Sequence, residues 1–293
     1  MSAGSGEELL SWMLGLRPAA PSAGLLRARV EGRLIVVTGA SRGVGAETAA
    51  RLALAGASVV LLARGGEELE KVARGIRRRG GLGRGGTAHP LVVDLGDTTA
   101  AARAGEEILD RWGTPAVVIS NAGISMRRTL RASRDRPQDL ARTTAVNYAG
   151  PVALLSRLAP AMADAGGGHL ISVASTSVDI PAPGWSLYGG SKTAMDAWLR
   201  AVALELEPSG VAVTTIRLPL VRTAMSAPTA AYAAVPAMRP VDAAKYIARA
   251  IVTRPLVLSP WWSKLAGILL AVHPRLLDPA LRGWDRMLDP PPR

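Results

Sequence analysis

Leu34-Ile-Val-Val-Thr38-Gly39-Ala40-Ser41-Arg42-Gly43-Val44-Gly45 is the stretch that decides the fold, because a short strand-forming run enters a glycine-rich turn and leaves it as a helix. That order opens a βαβ unit. Gly39 permits the tight turn, while Gly43 and Gly45 let backbone approach a pyrophosphate held at the positive end of the following helix. Ser41, Arg42 and Val44 complete the loop. In this context the pattern reads as a dinucleotide-binding turn.

Outward from the loop, short apolar runs alternate with longer helical stretches, which predicts a parallel sheet covered on both faces. Strands are expected at Leu34 to Thr38, Ser58 to Ala63, His89 to Asp94, Ala116 to Ser120, His169 to Ala174, Val211 to Arg217 and Leu256 to Leu258. Helices are expected at Val44 to Ala55, Gly66 to Arg79, Thr98 to Trp112, Pro137 to Ala165 with a kink near Pro151, Leu187 to Glu207 and Val241 to Thr253. Arg77 to Ala88, with its three consecutive arginines, reads as a solvated loop. The fold class is therefore α/β, a single-domain Rossmann fold whose doubly wound parallel sheet has about seven strands. Residues 1–30 form an N-terminal arm, 31–258 the Rossmann domain and 259–293 an apolar C-terminal segment.

The composition narrows the chemistry. With 293 residues, 48% hydrophobic and 20% charged, the chain can bury a substantial core. It has no cysteine, which excludes disulfides, thiolate metal sites and cysteine nucleophiles. Only His89, His169 and His273 remain, too scattered for a metal cluster, so no metal is expected, and His169 reads as structural. A net charge of +12 favours anionic partners without choosing among them, and no nucleic-acid partner is expected from charge alone. Glu7 and Glu8 precede a short apolar stretch where an export signal would need a basic start, so a cytoplasmic protein is expected.

At the end of the second strand, where an acid would bind the ribose of NAD, the chain reads Ala63-Arg64. Arg64 and Arg42 could instead clamp a 2′-phosphate with their planar forks of donors, so NADP(H) is the expected cofactor. A second constellation joins Ser175, at a strand end, to Tyr188 and Lys192. Tyrosine and lysine four apart on a helix share one face. An adjacent ammonium draws the phenol toward the range of a working general acid or base.

With these motifs in hand, the chain resembles the short-chain dehydrogenase/reductase family over roughly Glu31 to Arg254. The matching residues are Thr38 to Gly45, Asp94-Leu95, Asn121-Ala122-Gly123, Asn147, Ser175 and Tyr188-Gly-Gly-Ser-Lys192. The resemblance implies a catalytic tetrad. Tyr188 would transfer the proton, Ser175 hold the substrate oxygen, Lys192 bind the nicotinamide ribose and Asn147 keep a water in the relay. It also implies that Asp94 and Leu95 border the adenine, that Asn121, Ala122 and Gly123 line the cofactor cleft, and that the chain forms a homo-oligomer through its long helices. Leu218-Pro-Leu-Val-Arg-Thr departs from the family's Pro-Gly, which weakens the assignment of nicotinamide contacts to Val221 and Thr223. That same stretch, with Asn121-Ala-Gly-Ile-Ser-Met-Arg-Arg128, is similar to a subgroup containing bacterial long-chain fatty acyl-CoA reductases.

The substrate implied is an apolar carbonyl compound. Without cysteine, thioester reduction would proceed by direct hydride attack, with Ser175 and Tyr188 stabilising the oxyanion. A keto group on a polyketide, steroid or other lipid would suit the same site, and a non-catalytic NADPH-binding protein is the rival from another class. Leu256 to Val272, with Trp261-Trp262, reads as a substrate lid, a peripheral membrane contact or a packing helix. Pro260 and Lys264 interrupt it, leaving fewer than the roughly 20 apolar residues a span requires. Thr223 to Met238 reads as the substrate loop, which Trp12 and the arm could also cover.

Overall fold

Period-two alternation in the strands builds two cores, one on each face of the sheet. In the computed structural model, which describes residues 11, 13–80, 86–229, 232 and 235–288, seven parallel strands lie in the order β3-β2-β1-β4-β5-β6-β7. These are β1 (Leu34–Thr38), β2 (Ser58–Ala63), β3 (Ala88–Val92), β4 (Val117–Ser120), β5 (Gly168–Ser175), β6 (Val211–Leu218) and β7 (Val257–Leu258). Ile35, Val37, Val59, Leu61, Val117 and Ile119 point into one core, and the intervening Val36, Val60, Leu62 and Val118 into the other. No phenylalanine is needed: leucine, isoleucine and Met162 are among the largest fully buried side chains.

Three helices, α2 (Gly43–Leu54), α3 (Gly66–Gly80) and, later in the chain, α8 (Pro240–Thr253), close the first core with Leu52, Leu69 and Ile247. The second is closed by α4 (Thr98–Trp112), α6 (Gly150–Asp164) and α7 (Ser186–Leu206) through Ile108, Leu158 and Leu199. The N-terminal arm contributes α1 (Ala23–Val30), capped by the Ser22 hydroxyl, which accepts the Leu25 N–H at 3.2 Å. Leu26 and Val30 of this helix are buried in the first core. Trp12 lies outside the described residues. Strand order reverses between β1 and β4, so the crevice at their carboxyl ends is where this architecture receives ligands.

Several expectations need correction. The helix expected from Pro137 to Ala165 is not one continuous α-helix but is interrupted just before Pro151. It runs as α5 (Pro137–Thr144), passes through a π-helical turn at Ala145–Ala149, and continues as α6. Pro151 sits at the start of α6, where its missing N–H is tolerated, and the irregularity falls on the turn before it. Helix α3 continues through Arg77, Arg78 and Arg79 to Gly80, so the start of the expected loop is helical; residues 81–85 lie outside the described residues. Strand β3 ends at Val92, leaving Asp94 in the following turn, where its Oδ1 accepts the Gly96 N–H at 2.8 Å. Pro90 is accommodated because β3 is an edge strand.

His169 is fully buried at the start of β5, and its Nε2 lies 2.8 Å from Thr214 Oγ1. The Thr214 hydroxyl donates to the Pro255 carbonyl at 2.5 Å, so Nε2–H is the donor to threonine. Burial, with Arg254 and Arg29 nearby, lowers its pKa from the ordinary 6.5 to about 3. Between those values the unfolded chain binds a proton that the fold excludes, so stability rises with pH across this window and falls as pH drops from 6.5 toward 3. His169→Gln is expected to flatten that acid limb, as measured by thermal midpoint against pH.

Candidate active site

The glycine loop is held by its neighbours. Gly39 has φ +66°, in the left-handed region, and a Cβ there would meet the Ala122 Cα at 2.9 Å. A Cβ at Gly45 would lie 2.2 Å from the Gly39 carbonyl oxygen. The turn is thus closed on itself and on the β4 loop. Thr38 Oγ1 accepts the N–H groups of Asn121 and Ala122, each at 2.9 Å, and Asn121 Nδ2 donates to the Thr38 carbonyl at 2.9 Å. Asn121 therefore braces the loop, a role that motif reading did not contain.

Other residues expected at the cofactor divide between side-chain and backbone roles. Arg42 and Arg64 are exposed, and neither has an ion-pair partner among the described residues. Val44 packs on the first core and Leu95 is buried in the second, so their backbone is what they can offer a ligand. Ser41 is half-buried in the turn. Thr223 places its methyl against Gly43, where a Cβ would come within 3.3 Å. The Ser226 hydroxyl ties this segment, donating to the Val221 carbonyl at 2.9 Å and receiving the Thr223 N–H at 3.0 Å.

The tetrad residues come from β5, α7 and the π turn. Ser175, at the end of β5, accepts the Ser177 N–H at 3.1 Å and lies beside the Tyr188 phenol. Burial pushes the Tyr188 phenol up, and the neighbouring Ser175 hydroxyl pulls it down. Lys192 is buried and donates to the Val173 carbonyl at 3.1 Å; burial brings its pKa from 10.5 to about 8. Gly123 lies between this ammonium and Asn147, since a Cβ there would be 3.2 Å from both Lys192 Nζ and Asn147 Oδ1.

Asn147 is buried in the π turn with its side chain committed to structure. Its Oδ1 accepts the Ile124 N–H at 2.8 Å, and its Nδ2 donates to the Ile124 carbonyl and to Ser191 Oγ, each at 2.9 Å. Ser191 in turn donates to the Tyr188 carbonyl at 2.7 Å, a link that sequence reasoning missed. The carbonyl of Asn147 would ordinarily receive the N–H four residues on, but that residue is Pro151. The π turn thus gives Asn147 a structural amide and a carbonyl without its usual helical donor.

An aromatic roof also escaped the sequence reading. Trp185 stacks on Tyr232, in the segment expected to be the substrate loop, at 5.3 Å and on Trp284 at 5.7 Å. Trp284 belongs to the last helix, α10 (Asp278–Leu288), beyond α9 (Trp261–Val272). The Arg127 guanidinium lies 5.4 Å from the Trp185 ring and 3.2 Å from Asp285. Burial, then proximity to Tyr188, raises the Tyr232 pKa. Sequence spacing offers no signal for such a stack, because its members are distant in the chain. A cleft of about 200 Å³ beside it is lined by Leu220, Arg222, Thr223, Ser226, Thr229 and Tyr232, among others.

Comparison with known proteins agrees with this geometry. The profile of the short chain dehydrogenase family matches residues 33–233. The chain is 40% identical to an uncharacterized oxidoreductase of Mycobacterium tuberculosis over 85% of its length and 72% of the relative's. It is 38% identical to a fatty acyl-CoA reductase of Acinetobacter baylyi, over 85% of this chain and 83% of that one. Among solved structures, a metagenomic short-chain oxidoreductase in complex with NADP superposes with a TM-score of 0.67 and 30% identity, covering 79% of this chain and 99% of the other.

Proposed function

The chain belongs to the short-chain dehydrogenase family, and on that footing we propose that it uses NADPH to reduce the carbonyl group of an apolar substrate, first a long-chain acyl-CoA or fatty aldehyde. It is an oxidoreductase of that family. The observation that carries the proposal is the convergence of Ser175, the Tyr188 phenol and the buried Lys192, with Tyr232 of the aromatic stack close to Tyr188. The similarity to a fatty acyl-CoA reductase supports the substrate class. Reduction of a lipid ketone by the same residues is the second reading, favoured by the same apolar roof.

A nicotinamide dinucleotide suits the residues present. Gly39 and Gly45 close the turn by packing on one another and on the β4 loop, and Gly43 would let backbone approach the pyrophosphate, with Ser41 and Val44 beside it, while Asp94, Leu95, Asn121, Ala122 and Gly123 would border the crevice. Arg42 and Arg64 would take the 2′-phosphate, and Val221 and Thr223 the nicotinamide end. Bound there, NADPH supplies the hydride. Ser175 holds the substrate oxygen, and Tyr188 gives it a proton. Lys192 holds positive charge beside that step, and the Asn147 carbonyl positions a water behind it. Trp185, Tyr232 and Trp284 exclude bulk water from above. A homo-oligomer through the two long helical regions belongs to the same reading, supported by the exposed Leu140 and Leu204.

The test is NADPH oxidation by purified protein with a long-chain acyl-CoA, the matching aldehyde, a 3-ketoacyl thioester and a steroid ketone. Turnover of the first pair is expected; turnover of the ketones alone would replace the first reading with the second. Arg64→Ala, alone and with Arg42→Ala, is expected to reduce the preference for NADPH over NADH by about tenfold per guanidinium, since a hydrogen bond to a charged group contributes about 1.5–3 kcal/mol. An unchanged ratio of kcat/KM values would remove both arginines from the cofactor assignment.

A further inference from the structure

We propose that the outward face of α9 is a docking surface for an acidic phospholipid membrane. The inference is independent of the substrate reading, since it uses no residue of the active site. Helix α9 is held to the domain by one side only. Ser263, buried, donates to Asp179 Oδ2 at 2.6 Å; Gly267 faces the same aspartate; and Trp262 Nε1 donates to the Leu14 carbonyl at 3.0 Å. Asp179 is fixed in turn by an ion pair to Arg217, whose other nitrogen is 2.9 Å from Asp196. Small and polar residues thus face the protein, the reverse of the usual amphipathic arrangement.

The opposite face is apolar and, among the described residues, uncovered. Trp261, Leu265, Ile268, Leu269 and Val272 recur at helical spacing on it, and Leu276 follows in the next turn. Trp261 is 62% exposed, Ile268 64% and Val272 66%. A row of large apolar side chains left in water marks a contact surface. Trp261 Nε1 donates to the Met13 carbonyl at 2.8 Å, which fixes the ring at the edge of this face, and Met13 is itself exposed.

Charge selects the occupant. Lys264, on α9, and Arg275, just beyond it, are exposed and have no ion-pair partner among the described residues. A second copy packing through this face would bring Lys264 against its own counterpart, with no aspartate or glutamate in α9 to meet it. An anionic lipid surface meets both demands, accepting the apolar side chains below the headgroups and the cations among them. Among the described residues no helix is long and apolar enough to cross a membrane, so the contact proposed is one that lies on the surface.

The experiment is co-sedimentation of the full chain with vesicles of phosphatidylglycerol and phosphatidylcholine in equal parts, and with vesicles of phosphatidylcholine alone. Binding to the acidic vesicles, weakened by added salt, is expected. The double variant Leu265→Glu, Ile268→Glu should lower that partitioning by about tenfold or more. Its circular dichroism and NADPH affinity should match those of the parent. Quenching of tryptophan fluorescence by brominated acyl chains gives a second readout, expected to fall in Trp261→Leu, which preserves an apolar residue. Absence of sedimentation with acidic vesicles would overturn the proposal, as would equal binding by parent and double variant. If the double variant instead converted a vesicle-indifferent dimer to monomer, the face would be a contact between copies and the membrane assignment would fall.

Discussion

Tyr188→Phe is expected to lower kcat by about 10²–10⁴-fold, the usual contribution of a positioned general acid, while NADPH affinity stays near that of the parent. The substitution removes one oxygen and leaves the ring in place. That oxygen lies beside Ser175, and burial around it disfavours the phenolate, which suits donation of a proton in the reductive direction. Ser191 and Asn147 hold the Tyr188 backbone through a chain of hydrogen bonds that the substitution does not touch. Stopped-flow binding and steady-state turnover separate the two quantities. Parent-like turnover in the phenylalanine variant would take Tyr188 out of the chemistry.

Gly45→Ala should have the second large effect, on fold and cofactor together. Its Cβ would lie 2.2 Å from the Gly39 carbonyl oxygen and 2.7 Å from Asn121 Nδ2, so neither a rotamer change nor solvent can relieve the clash. The β1 and β4 loops would have to separate, breaking the Asn121–Thr38 brace. Overpacking of this kind costs about 1–3 kcal/mol, which thermal unfolding reads directly. Cofactor affinity should fall with it, because the displaced backbone is the proposed pyrophosphate cradle. Gly75→Ala serves as the control, since a Cβ there meets no other atom within 4 Å and the α3 helix gains propensity. Equal stability of the two variants would contradict the packing argument.

These two sites also mark how far sequence reasoning reaches. The glycine turn was legible because strand, turn and helix are local, and each glycine answers a local steric demand. The sheet was legible because strands covered on both faces read as short continuous apolar runs, as in β1, β2 and β4, separated by helical stretches; the order of the strands was not. Tyr188 and Lys192 were legible as a pair because helical spacing places them on one face. Asn147 was found, but not its π turn: that irregularity depends on where Pro151 falls relative to the helix start, and a proline pattern alone suggested a kink. The brace from Asn121 to Thr38 and the link through Ser191 depend on side-chain angles that no spacing encodes. Trp284 was out of reach for a stronger reason, since it joins Trp185 only after the chain has passed through α7, β6, α8, β7 and α9. The C-terminal segment looked like one apolar unit, whereas its two helices face different ways: α10 sends Trp284 to the roof, and α9 presents its apolar residues outward.

The most direct measurement is the fate of labelled hydride. Purified protein is incubated with NADPH deuterated at the nicotinamide C4 position and a long-chain acyl-CoA or aldehyde, and the product is analysed by mass spectrometry. The predicted result is deuterium on the carbon that had been the carbonyl, formed by the parent and lost in Tyr188→Phe. Unlabelled product, or label appearing equally in the tyrosine variant, would contradict the assignment of this site to carbonyl reduction.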